Sequence, residues 1–104
     1  MIQNEPRMKI KIDEKRLSKY CSENHIKKLS FFGSVLTDKF NETSDVDALV
    51  EFEKDYVPGL LGMIRMEREL SALIERRVDL HTKEELSKHF RESVVREAEV
   101  KYGA

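Results

Sequence analysis

The run Lys28-Leu29-Ser30-Phe31-Phe32-Gly33-Ser34, followed after ten residues by Asp45-Val46-Asp47-Ala48-Leu49-Val50-Glu51-Phe52, decides the fold of this chain. The first part is strand sequence stopped at Gly33, and Val46 to Phe52 is strongly strand-like. Residues two apart on a strand share a face. Asp45 and Asp47 therefore present two carboxylates side by side at the start of the second strand. Like charges this close are costly unless a cation neutralises them or one takes up a proton. Carboxylate oxygens suit Mg²⁺, which usually takes one or two of them plus substrate phosphate oxygens.

Asp79 supplies a third carboxylate. It interrupts the apolar pair Val78 and Leu80 in the next expected strand, Arg77 to His81. If the two strands lie side by side, the three carboxylates can hold two Mg²⁺ ions about 3.5–4 Å apart, the arrangement used for in-line displacement at phosphorus. Gly33 lets backbone approach a ligand closely. Ser34 sits where a strand should turn into a short helix, and free N–H groups at such a helix start favour phosphate. A phosphate cradle beside a two-metal cage describes nucleotidyl transfer. The competing reading makes Asp45 and Asp47 a solvated acidic edge and Gly33-Ser34 a plain turn. A Gly-Ser-x10-Asp-x-Asp pattern arises by chance in roughly one chain in a thousand of this length. The third Asp, inside a later strand, weighs further against coincidence.

The flanking sequence supplies the remaining elements. Residues 8–12 alternate apolar and polar, as a short strand or arm would. Asp13 can cap a helix from about 14 to 27, with Leu17, Tyr20, Cys21 and Asn24 on one face. A short helix is expected from Ser34 to about Phe40, then a polar loop from Asn41 to Ser44. Pro58-Gly59 marks a turn before a helix from Leu60 to Glu75, with apolar residues at 60, 63, 64, 70, 73 and 74. Thr82 and Glu85 have capping-box spacing. Phe90, Val94, Val95, Ala98 and Tyr102 recur at helical intervals and suggest one final helix. Alternation of this kind argues for an α/β domain, a short mixed sheet of three to four strands covered by helices.

At 104 residues the chain fits one domain, 1–104. No apolar run approaches the roughly 20 residues that span a bilayer, and no signal-peptide stretch follows Met1 to Glu5. Cys21 is the single cysteine, so no intrachain disulfide is available. These features point to a cytoplasmic protein without a membrane partner. Net charge is −1, but residues 31–56 hold two Lys/Arg against seven Asp/Glu. That acidic middle argues against direct nucleic-acid binding there. His81, two residues beyond Asp79, could touch nucleotide or acceptor, although a strand-end hydrogen bond is the commoner role. His25 and His89 fall among charges in helical segments and read as surface. Arg65, Arg68, Arg76 and Arg77 read as solvated, with one able to reach a phosphate.

Phe32-Gly33-Ser34, Ser44-Asp45-Val46-Asp47, Leu49-Val50-Glu51-Phe52 and Val78-Asp79-Leu80 resemble the minimal nucleotidyltransferase (MNT, MntA-like) family of the DNA polymerase beta nucleotidyltransferase superfamily. The resemblance runs from about Leu29 to Tyr102. It implies a small nucleotidyltransferase fold and an antitoxin encoded beside a HEPN-domain ribonuclease toxin. It implies neutralisation by transfer of AMP from ATP to a toxin tyrosine, within a possible hetero-oligomer. By position, Gly33 and Ser34 would bind triphosphate, Asp45 and Asp47 both Mg²⁺ ions, and Asp79 the catalytic one while helping to deprotonate the attacking hydroxyl. One departure stands out. Many relatives carry Arg in a Gly-Ser-x-x-Arg pattern, and here that position is Thr37. An antitoxin acting by direct toxin binding is therefore the alternative. A small-molecule adenylyltransferase, such as one acting on an aminoglycoside, is a third reading that usually needs an added domain.

Overall fold

The computed structural model describes residues 8–103; the signal-peptide reading at the N-terminus, and the outer ends of a 1–104 domain, lie outside them. The chain runs α1 (Glu14–Glu23), β1 (Ile26–Phe32), a 3-10 turn (Gly33–Leu36), β2 (Val46–Phe52), α2 (Gly59–Ile74), β3 (Val78–His81), a second 3-10 turn (Lys83–Glu85), α3 (Lys88–Glu97) and β4 (Glu99–Tyr102). The strands form one mixed sheet in the order β3-β2-β1-β4, with β1 antiparallel to β2 and β4 and with β2 parallel to β3. This is the α/β class and mixed sheet expected from the sequence, with the upper strand number realised.

One sheet face carries the main core. Leu29, Phe31, Val46, Ala48, Val50, Val78 and Leu80 meet Leu17 and Cys21 of α1 and Met66, Leu70 and Ile74 of α2. The other face is smaller, with Phe32 and Leu49 packed against Leu86 and Val94. Strand alternation does the sorting: Val46, Ala48 and Val50 go to the first face, so Asp47 and Leu49 go to the second.

Several boundaries depart from the sequence reading. Helix α1 starts as expected, with the Asp13 carboxylate accepting from Arg16 N–H at 3.1 Å. It stops at Glu23 rather than near residue 27, because His25 adopts a left-handed conformation (φ 60°) that turns the chain into β1. His25 is thus a turn residue stacked on Tyr56 at 4.5 Å, not a helical one. The helix expected from Ser34 to Phe40 shrinks to the single turn Gly33–Leu36, since Thr37 is already extended. Residues 8–12 form an arm, with Lys9 N–H donating to Val35 C=O at 2.9 Å. Thr82 and Glu85 do make the capping box, but it closes only a 3-10 turn, and α3 begins afresh at the Ser87 cap. The final helix ends at Glu97. Ala98 is extended, and Glu99–Tyr102 instead fill the free edge of β1.

Candidate active site

Three strands deliver the site residues to one end of the sheet. Antiparallel pairing sets Phe32, the last residue of β1, against Asp47 near the start of β2. Parallel pairing sets Asp47 against Asp79 near the start of β3. Register partners share a sheet face, so the two carboxylates project together on the side opposite α1 and α2. Asp45 lies just ahead of β2, and its side chain is 44% exposed, with Oδ2 4.0 Å from Nε of Arg77. Gly33 completes the corner. A Cβ there would lie 2.7 Å from Oδ2 of Asp47, and its φ of +81° is one that side-chain-bearing residues rarely adopt. The sequence-derived residues Gly33, Asp45, Asp47 and Asp79 are thus brought together, with Ser34 next in the turn.

The electrostatics match crowded carboxylates. Burial raises the Asp47 pKa, a hydrogen bond and the charge of His81 lower it, and Asp79 and Asp45 raise it again. His81 Nε2 lies 3.5 Å from Asp47 Oδ1, and its ring tilts against Phe32 at 5.6 Å between centroids. Among the described residues, no three His, Cys, Asp or Glu side chains converge on a single ready-made metal position. Asp47 is turned to His81 and Asp45 towards Arg77. Mg²⁺ does not require a full protein cage, because substrate phosphates and water complete its octahedron. The donor set therefore fits a divalent cation: hard oxygens, like-charged neighbours, and one carboxylate whose ionised form is penalised by burial until a cation arrives.

Two features were hidden in the sequence. Arg76, read as solvated, donates through Nη2 to the carbonyls of Asn41 at 2.8 Å and Ser44 at 2.6 Å. Its guanidinium also covers the Phe40 ring at 4.4 Å. It thereby ties the foot of β3 to the loop that presents Asp45. Polar contacts across 32 and 35 residues leave no local signal. The second feature is a cavity of about 290 Å³ between the Gly33 turn and α3, walled by Phe32, Leu36, Phe90 and Val94 and bordered by Asp47. Thr37 serves the turn itself, with Oγ1 donating to Ser34 C=O at 3.0 Å.

A model of the nucleotidyltransferase domain matches residues 14–101, most of the chain. This chain belongs to the nucleotidyltransferase family. Among its relatives is the protein adenylyltransferase MntA of Thermococcus cleftensis, 40% identical over 72 residues, 69% of this chain and 71% of that one. A solved structure assigned provisionally as a minimal nucleotidyltransferase superposes with a TM-score of 0.67 at 33% identity, covering 82% of this chain and 85% of that one. A toxin–antitoxin crystal structure with AMP-PNP gives a TM-score of 0.72 at 20% identity, covering 89% and 75%, which is a likeness of fold. This nucleotidyltransferase is thus an enzyme of a class that uses a nucleoside triphosphate and a divalent metal, on the minimal form of the fold.

Proposed function

We propose that this nucleotidyltransferase is an antitoxin that transfers AMP from ATP to a tyrosine hydroxyl of a HEPN-domain ribonuclease toxin. The observation that carries the reading is the in-register pair Asp47 and Asp79 beside Gly33, at one end of the sheet. The protein adenylyltransferase name of the Thermococcus relative supports protein as the acceptor. Likeness of fold to MntA–HepT toxin–antitoxin complexes supports a toxin as that protein.

In the proposed reaction the tyrosine oxygen attacks the α-phosphorus of ATP. A new P–O bond forms, the bond from the α-phosphorus to the α,β-bridging oxygen breaks, and pyrophosphate leaves. Asp79 takes the hydroxyl proton. Gly33 and Ser34 give the triphosphate a turn it can approach without meeting a side chain at position 33. Arg76 holds the loop that carries Asp45. Mg²⁺, held by Asp45, Asp47 and Asp79, would neutralise the phosphates and stabilise the charge that builds on them. Phe32, Leu36 and Phe90 offer an apolar wall beside Asp47 for a flat ring.

The test is incubation with α-³²P-ATP, Mg²⁺ and the HEPN-domain protein encoded beside this chain, with a folded Asp45→Asn/Asp47→Asn control. Label on the partner with the native chain alone is the expected result. Unlabelled partner in a mixture where the two proteins bind tightly would sink the reading. It would favour the alternative of neutralisation by contact, which Thr37 and the one-turn helix after Gly33 motivate. Contact alone predicts that Asp47→Asn protects cells as well as the native chain.

A further inference from the structure

Helix α2 is apolar on two sides, and the core uses only one. Met66, Leu70 and Ile74 are buried, whereas Val57, Leu60, Leu61 and Ile64 are 85%, 76%, 81% and 41% exposed. The spacing 57, 60, 61, 64 belongs to one helix face, continued backwards into the turn. Single exposed leucines are ordinary, but a contiguous apolar stripe marks an interaction surface. The stripe opens into a groove of about 400 Å³, walled by Phe52, Tyr56, Val57, Leu60 and Met63 and rimmed by Glu84 and Glu85. Lys83 does not neutralise that rim, because its ammonium is engaged by Glu51 at 3.2 Å. Thr82 also lines the groove. It follows His81 directly and stands three residues beyond Asp79, about 10 Å along the edge strand and, by strand alternation, on the opposite face from it.

We infer that the stripe and groove form the docking surface for the protein that receives the nucleotide. The occupant is an amphipathic segment of that protein, with apolar side chains for the groove and Lys or Arg opposite Glu84 and Glu85. Four exposed side chains fall well short of the roughly 20–30 residues a side in a stable pairing of two proteins. A second copy docked through this stripe alone would gain little more, and it would bring acidic rim towards acidic rim. A protein acceptor must also reach Asp47 and Asp79. Its contact therefore has to pass from the α2 side, around the edge strand β3, to the carboxylates on the other face of the sheet, which extends it well beyond the stripe.

The inference rests on the proposed activity only for the identity of the partner. The test measures the affinity of the full chain for the HEPN-domain protein by calorimetry, for the native sequence, Leu61→Glu, Leu60→Glu and Glu84→Lys. Each variant's melting shift with Mg²⁺ and ATP is recorded beside it. The expected result is at least a tenfold loss of partner affinity in all three, with the native melting shift retained. Unchanged affinity in variants that keep the shift overturns the docking surface and leaves the activity standing. A native dimer that Leu61→Glu dissociates, with partner affinity unaltered, assigns the face to a second copy and overturns the inference. Weakened binding without labelling by the native chain supports the surface while removing the proposed reaction.

Discussion

Asp47 is the residue on which burial, like charge and register all converge, and its position makes opposite predictions with and without metal. Its pKa is raised, first by burial and then by Asp79 and Asp45, against the opposing effect of His81. A carboxyl whose folded pKa lies above its unfolded value adds stability that is fully present below the unfolded pKa. That stability is lost as pH rises through the folded pKa. Ionisation of Asp47 therefore weakens the metal-free fold. Asp47→Asn should melt higher than the native chain in EDTA by scanning calorimetry, and the native chain itself should stabilise as pH falls towards the ordinary carboxylate range. With Mg²⁺ and ATP the order should reverse, because only the native chain gains the ligand term. A lower melting temperature for Asp47→Asn in EDTA would show that the His81 contact outweighs the burial of charge.

Gly33 gives the second residue-scale prediction. Gly33→Ala places a methyl 2.7 Å from the Asp47 carboxylate in a backbone conformation alanine disfavours. The backbone strain costs about 1 kcal/mol. The larger effect should be on activity, through a displaced Asp47: at least a tenfold fall in kcat/KM for labelling by a chain that still folds by circular dichroism. Gly33 and the Asp45-Asp47 spacing stood out in the sequence because a stop signal and strand alternation act within a few residues, whereas the placing of Asp79 beside Asp47 hung on the pairing of β2 with β3, which the sequence left as a condition. Arg76 was not, because its partners are fixed only once β3 and the Asn41–Ser44 loop are folded together.

At the scale of elements, the core strands were readable and their neighbours less so. Val46–Phe52 appears with the boundaries its composition implies, since a buried central strand leaves no competing period. The Glu99–Tyr102 stretch read as helix because Ala98 and Tyr102 stand four apart. The unpaired edge of β1 offered its backbone hydrogen bonds instead, and a tertiary partner outweighed a local period. In α2 the apolar residues at 60, 63, 64, 70, 73 and 74 show helical spacing, and of these the structure buries Leu70 and Ile74 while Leu60 and Ile64 stay exposed. Periodicity finds an apolar face but cannot say what covers it.

The loop before β2 depends on such a long-range tie. Arg76→Ala removes two hydrogen bonds from a charged donor and a cation–π contact. Hydrogen bonds of this kind contribute about 1.5–3 kcal/mol each when buried. One of these is exposed and one only partly buried, so the expected loss is discounted to about 1–2 kcal/mol in all. It should be accompanied by weaker Mg²⁺-dependent ATP binding, as Asp45 loses its fixed approach. Arg76→Lys should recover the stability only in part, because a point charge cannot serve two carbonyls and a ring as a planar fork does. Equal ATP affinity in Arg76→Ala and the native chain would separate the loop from the site.

At the scale of the whole molecule, Cys21 reports how the fold opens and whether ligand holds it shut. Its thiol is fully buried between α1 and the sheet, and burial pushes its pKa up to about 12. The thiolate is the reactive species, and at pH 8 a pKa that high leaves about one molecule in ten thousand ionised. Alkylation should therefore be negligible in the folded chain and proceed through opening. Cys21 touches the same core cluster as Leu70, Val46 and Leu80, drawn from α2, β2 and β3. An opening that exposes it should consequently approach global unfolding, with a labelling rate that follows the equilibrium constant measured in denaturant. The carboxylates lie on the other face of the same sheet, so a ligand bound there should slow labelling without approaching the thiol. At a hundredfold excess over Kd the stabilisation is about 2.7 kcal/mol, equivalent to about a hundredfold slower alkylation. Asp45→Asn/Asp47→Asn should show no such protection from Mg²⁺ and ATP. Rapid labelling that ATP leaves untouched would mean instead that α1 lifts alone, and that the two faces of the sheet are not joined in one cooperative unit.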